Sequence, residues 1–439
     1  MLADFISNNS VMLSAGLLLT AYVFIALEKI PKMTIALLGA AITIVMGLVS
    51  QEKFNGEMIN TNYFINFVDF NVIFLLVAMM IIVAITTRSG VFNWIANELL
   101  KMTKGRPIKV LFALGFFTAI VSAFLDNVTT VILIMPITFV IAKKLDVDPI
   151  TYLLTEIFAS NIGGTATLIG DPPNIIIGSA AGLSFMDFVK ELTPVIAVIL
   201  TVVLFVLATI FRKKLVATEE KMNEVALIDN THTITDKNLM IRSTIVLGLV
   251  ILGFMLHDVI HIETCVVAML GASFLLLFEK PNDIIKDVEW NTIFFFIGLF
   301  IIIGGLEASG GIKLMAEWIL KVTQGSQAAT SIIILWASGI ISGIIDNIPY
   351  TATMAPMLVE IEKTMGEAYT YPLWWALSLG ACLGGNMTII GAAANVIVSE
   401  NANKHGYPIS FMRFLKYGVV VVAISLAIST VYMYFNYLK

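Results

Sequence analysis

Apolar residues run in long blocks separated by short polar breaks. The blocks near 11–29, 33–50, 67–87, 148–180, 193–212, 239–256, 261–279, 289–309, 372–399 and 414–437 are each long enough to cross about 30 Å of hydrocarbon at about 1.5 Å per residue. They predict ten membrane-spanning helices. Two further apolar stretches, 107–143 and 327–359, turn back at Asp126-Asn127 and Asp346-Asn347 and are read as hairpins. Their tips lack the Lys, Trp and Tyr of loops at a membrane surface, so both hairpins are read as re-entrant. Val91 to Lys101 and Ile312 to Lys321 are amphipathic and read as interfacial helices joining a span to its hairpin. The polar stretch 213–238 is a cytoplasmic linker, too short for a domain.

The two halves repeat each other. Val68-Asp69-Phe70-Asn71-Val72-Ile73-Phe74 matches Val288-Glu289-Trp290-Asn291-Thr292-Ile293-Phe294, an offset of 220 at which Asp126-Asn127 also falls on Asp346-Asn347. At an offset of 221, Gly163-Gly164 meets Gly384-Gly385, Thr167 meets Thr388 and Asn174 meets Asn395. The chain therefore divides into a first repeat, 1–212, with hairpin 107–143 and a broken helix over 148–180. The linker 213–238 follows, then a second repeat, 239–439, with hairpin 327–359 and a broken helix over 372–399. Five spans per half is an odd number, so the second repeat is inverted relative to the first. Placing both termini outside puts twenty of the 26 Lys and Arg residues in cytoplasmic loops and leaves Lys53, Lys190, Lys313, Lys321, Lys363 and Lys439 outside, the expected bias.

Composition agrees with a lipid-solvated chain: 58% hydrophobic, 13% charged, mean hydropathy +0.93. The net charge of -5 and the lack of a long basic cluster exclude a nucleic-acid partner. Cys265 and Cys382 are isolated in apolar stretches and read as free thiols. Met1 to Ser10 lacks the basic start of a cleaved leader, so the first apolar run reads as a retained span. Enzyme classes drop out. The residues before Asp126 and Asp346 do not form the Gly-x-Gly-Asp motif of intramembrane aspartyl proteases, and no Gly-Lys pair exists for a nucleotide-binding P-loop.

Broken helices at membrane depth occur only where protein or a wet cavity satisfies the freed backbone, and paired breaks in two inverted halves point to a transport site. The candidate binding residues are Asp126, Asn127, Thr129, Asn161, Gly163, Gly164, Thr165, Thr167, Asp171 and Asn174 in the first repeat. In the second they are Asp346, Asn347, Thr351, Gly384, Gly385, Asn386, Thr388 and Asn395. Glu156 is a candidate coupling acid, and Asp126 and Asp346 double as candidate helix caps. Acids without a neighbouring Lys, Arg or His predict a site for a cation, a neutral solute, or an anion that arrives with protons or metal ions. No structural metal is expected. The coupling ion is H+ or Na+, with sodium placed near Asp126 and Asp346.

The quoted motifs, together with Gly170-Asp171-Pro172-Pro173-Asn174 and Asp346-Asn347-Ile348-Pro349, resemble the ion transporter superfamily over nearly the whole chain, in particular its arsenical-pump and melanosomal P protein branch. Sodium/proton antiporters and divalent anion-sodium symporters are its relatives. The resemblance implies an all-α polytopic membrane protein, working as an elevator-type homodimer with spans 1, 2 and 5 of each half as scaffold. It implies a secondary active transporter of a small inorganic ion or oxyanion of the arsenite type, coupled to protons or sodium, without a cofactor. A sodium/proton antiporter, a sodium-coupled carboxylate carrier and a passive ion channel stand as alternatives, and a soluble ATPase as an additional partner. The implied location is a bacterial or archaeal cytoplasmic membrane. A Ser-Asn-Thr signature of carboxylate carriers is not present, since Ser160-Asn161 is followed by Ile162.

Overall fold

The structure is a computed structural model and describes residues 6, 8–27, 29–49, 67–226, 230 and 233–439. Lys53 and most of the N-terminal segment read above lie outside the described residues.

Among the described residues the first half contains nine helices: α1 (Ser10–Leu27), α2 (Lys32–Val45), α3 (Phe70–Arg88), α4 (Val91–Met102), α5 (Pro107–Ser122), α6 (Asn127–Leu145), α7 (Ile150–Gly164), α8 (Pro172–Ala181) and α9 (Phe185–Phe211). The linker carries α10 (Glu219–Ala226). There Lys221 bonds Asp146 and holds that carboxyl below the usual carboxylate range. The second half runs α11 (Lys237–Met255), α12 (His257–Ile260), α13 (Thr264–Leu276), α14 (Pro281–Ile284), α15 (Trp290–Ala308), α16 (Gly311–Val322), α17 (Gln327–Ile345), α18 (Asn347–Met365), α19 (Glu367–Gly384), α20 (Ala393–Lys404) and α21 (Phe411–Tyr437). Apart from the short α12 and α14, its order repeats the first half's. The chain is an all-α multi-pass membrane protein.

The repetition extends to backbone detail. Gly90 and Gly310 enter their helices at φ 81° and 85°, and Lys104-Gly105 and Gln324-Gly325 turn at φ 53°, 64°, 52° and 69°. A shared sequence pattern has produced the same turns twice.

Burial explains the layering. Every residue of α7 is buried, as is every residue from Pro372 to Gly384 in α19, so the broken helices form the centre. Each packs on the first arm of its hairpin, α7 on α5 and α19 on α17. The halves also exchange contacts, α2 packing on α15 and α13 on α3. At the rim, α1 and α11 turn Leu19, Phe24, Ile245 and Leu249 outward, which suits lipid rather than water.

The ends of four helices differ from the hydropathy reading. α9 and α21 begin eight and three residues earlier than the apolar blocks at 193 and 414, because Ser184 and Ser410 cap polar first turns. α2 and α13 are shorter than their blocks, with 14 and 13 residues, bounded by turns at Gly47 (φ 68°) and His261 (φ 52°). The tips of the two hairpins, Asp126-Asn127 and Asp346-Asn347, line one cavity, and two of the hairpin arms, Asn127–Leu145 and Gln327–Ile345, are long and apolar enough to cross a membrane.

Hairpin and broken helix approach closely through glycine. A Cβ on Gly163 would sit 2.2 Å from the Ala119 carbonyl oxygen, and one on Gly384 would sit 2.5 Å from that of Gly339. Gly163→Ala and Gly384→Ala are each expected to cost about 1–3 kcal/mol through overpacking. Thermal melting in detergent measures this, and an unchanged melting temperature would contradict the packing.

Candidate functional site

The two broken helices are held open and closed by asparagine. Asn174 Nδ2 donates to the carbonyls of Thr165 (3.0 Å) and Thr167 (2.8 Å), and Asn395 Nδ2 donates to those of Gly385 and Thr388 (2.8 Å each). Thr388 Oγ1 donates to Gly343 O at 2.6 Å, tying break to hairpin tip, and Thr167 Oγ1 bonds Ala123 O in the same way. Where the segments meet, Asn161 Nδ2 donates to Asn386 Oδ1 (2.8 Å) and Asn395 Oδ1 (3.0 Å). Asn174 Oδ1 reciprocates by accepting from Ser378 (2.6 Å) and Cys382 (3.5 Å) of α19. Side-chain amides thus supply the bonds that lipid cannot.

Beside this crossing lies a cavity of about 250 Å³. All of its polar lining comes from helix starts: Pro31-Lys32 of α2, Asp126-Asn127 of α6, Asp171-Pro172 of α8, Glu289, Asn291 and Thr292 of α15, and Asp346-Asn347 of α18, with Ala392 to Ala394 of α20. Leu76, Met80 and Phe295 supply apolar wall.

The four carboxylates differ in how far their own helices use them. Asp126 accepts from Thr129 N at 2.9 Å and Thr129 Oγ1 at 2.5 Å, an ordinary cap. Asp346 caps Ile348 N at 3.0 Å with φ 116°, a conformation that costs a non-glycine residue about 1–3 kcal/mol. Asp171 makes no cap bond, because Pro172 and Pro173 have no N–H to offer; it accepts instead from Asn347 Nδ2 at 3.3 and 3.4 Å. Glu289 accepts only from Thr292 Oγ1 at 3.1 Å. It lies close enough to Asp126 for mutual repulsion, as Asp171 does to Asp346. Asp171 and Asp346 are each 1% exposed, while Asp126 and Glu289 are partly open to the cavity.

One expectation is corrected. The acids are not without a fixed cation, since Lys32 Nζ lies 2.5 Å from Asp346 Oδ2. Lys32 is 314 residues away along the chain and belongs to another helix start, so inspection of the broken segments could not find it. Glu289 was also missed as a site residue, although the motif it shares with Asp69 marked the repeat. Other candidates stand apart. Glu156 is buried against Thr138 between α7 and α6, and Thr351 Oγ1 bonds Asn347 O within α18; neither lines the cavity. Thr165, the residue just after α7, bonds Asn161 O, and Gly164 and Gly385 pack against Gly170 and Gly391. Among the described residues no group of three or more His, Cys, Asp or Glu is placed to hold a metal ion.

Inverted halves, broken helices and a charged cavity define a membrane transporter. A family model described as "CitMHS: Citrate transporter" matches residues 22–380, and the chain belongs to this family within the ion transporter superfamily. It is 41% identical over 421 residues to an "uncharacterized transporter" of Mycobacterium tuberculosis, covering 95% of this chain and 96% of that protein. It is 31% identical over 500 residues to the "P protein" of Mus musculus, covering 96% of this chain and 59% of that longer protein. Among solved structures, the YdaH transporter of Alcanivorax borkumensis, described as having an unusual topology, aligns with a TM-score of 0.60 at 13% identity, covering 94% of this chain and 96% of that one. That likeness concerns the fold.

Asn174→Leu and Asn395→Leu each orphan two buried carbonyls, so each is expected to cost about 1–3 kcal/mol per lost partner. Melting temperatures of the two variants should fall together; a silent Asn395→Leu would contradict the closure described.

Proposed function

We propose that this chain is a secondary active transporter in which protons or sodium ions bind at the cavity carboxylates and open the site to a small anion. The observation that carries the reading is a charge balance. Four carboxylates and one ammonium give the lining a formal charge of -3. Six helix N-termini at roughly half a positive charge each offset it by about +3. A site near balance admits neither ion strongly by itself. Each proton or sodium ion that binds leaves the helix dipoles uncompensated, and an anion then completes the set.

The oxygen ligands on offer are hard donors, suited to H+ and Na+, and no cysteine lines the cavity to hold trivalent arsenic as a thiolate complex. An oxyanion or a carboxylate such as citrate, after which the family model is described, fits the helix N-termini. Cation/proton exchange without an anion is a second reading, favoured by the partial exposure of Asp126 and Glu289. In either case the resemblance supports an elevator-type homodimer with α1, α2, α9, α11, α13 and α21 as scaffold.

The test uses the purified chain in proteoliposomes with an internal pH dye, adding sodium, lithium, arsenite or citrate singly and each anion together with sodium. Anion flux that requires sodium or a proton gradient is expected, falling at least about tenfold in Asp126→Asn and Glu289→Gln. Wild-type coupling in both variants would overturn the assignment. A dye response to sodium or lithium alone selects the exchange reading.

A further inference from the structure

We propose that Lys32 is a built-in cation that fills the second of two equivalent half-sites, so that the cavity exchanges one coupling cation fewer than its two-fold plan provides. The inference rests on the cation-coupled reading above and gives that site its stoichiometry.

Asp126 and Asp346 occupy equivalent places, 220 residues apart at the two hairpin tips. Each caps the helix that follows and lines the same cavity. Their partners differ. The bonds to Asp126 come from Thr129, which is neutral, and its charged neighbour across the cavity is Glu289, of like sign. Asp346, with Asp171 as its like-charged neighbour, is bonded by Lys32 at 2.5 Å. In this conformation the ammonium group, 2.5 Å away, does for Asp346 what a sodium ion or a proton would do, but it is tethered to α2 and stays with the scaffold rather than exchanging with the bulk.

The asymmetry comes directly from sequence. Lys32 is the first residue of α2, whereas α13, the repeat of α2, begins with Thr264 after Glu263. Among the described residues the first half-site therefore receives no lysine, and its two carboxylates, Asp126 and Glu289, remain for exchangeable cations. Reach is not limiting, because the Lys32 side chain is 25% exposed while the Asp346 side chain it meets is 2% exposed. The lysine comes in from the more open side of the cavity and neutralises the deeper acid.

The experiment counts bound cations on the purified full-length chain, by equilibrium dialysis with radioactive sodium and by the protons released to a pH dye. Lys32→Met is expected to bind one more sodium ion or proton per chain than the wild type. Lys32→Met combined with Asp346→Asn should return to the wild-type count, and Lys32→Arg, which keeps the tethered charge, should hold it. In proteoliposomes the Hill coefficient for sodium should rise from about 1 towards about 2 in Lys32→Met. Should Lys32→Met melt below the assay temperature, Lys32→Gln is counted in its place. An unchanged count in a folded variant, with a wild type that does bind cations, overturns the role of Lys32 alone. A wild type that binds neither sodium nor protons removes the cation-coupled reading beneath it.

Discussion

A peptide group in hydrocarbon finds no water, so every point at which this chain leaves the helix has to be closed by the protein itself. The chain leaves the helix at two hairpin tips and two broken segments, and the same residue types close each pair. Asn174 and Asn395 bond the carbonyls freed beside them, while Thr167 and Thr388 bond each break to its hairpin tip. Glycine at 163 and 384 lets the hairpin arms come near enough for this to work. The central layer is consequently the most buried part of the molecule, and the lipid-facing helices α1 and α11 wrap a structure that is already satisfied internally.

Closing the breaks in this way aims helix N-termini inward. Six of them meet at one cavity, and the acids on their first turns follow from that, since carboxylates are stabilised by the positive end of a helix. Capping absorbs only part of their capacity. The Asp-Pro-Pro sequence withholds N–H donors from Asp171, and the carboxylate turns to Asn347 of the opposite hairpin instead. Glu289 and Asp126 remain partly open. A structural device for ending helices inside a membrane has thereby become a cavity in which fixed charges nearly cancel.

Much of this was legible in the sequence because it is written twice. Offsets of 220 and 221 expose the repeat, the hairpins and the paired breaks without any coordinate, and Asp126, Asn127, Asp171, Asp346 and Asn347 all line the cavity. What the repeat did not carry was harder to read. Lys32 has no basic counterpart in the second half, and at the start of an apolar helix it passes for an interfacial residue. Glu289 looked like part of a repeat motif rather than a site. The polar first turns of α9 and α21 dilute their hydropathy, so window-based reading starts both helices late. Glu156 and Thr351 stand out in the sequence as polar groups at membrane depth, and in the fold they bond Thr138 and Asn347 O away from the cavity.

The central claim is that the partly open carboxylates of the cavity exchange cations. Infrared difference spectroscopy of the purified chain tests it most directly, by replacing a large organic cation with sodium at constant pH and following the carboxyl and carboxylate bands. The account predicts a sodium-dependent change in those bands that disappears in Asp126→Asn. A spectrum indifferent to sodium, or a change that persists unaltered in that variant, would contradict it.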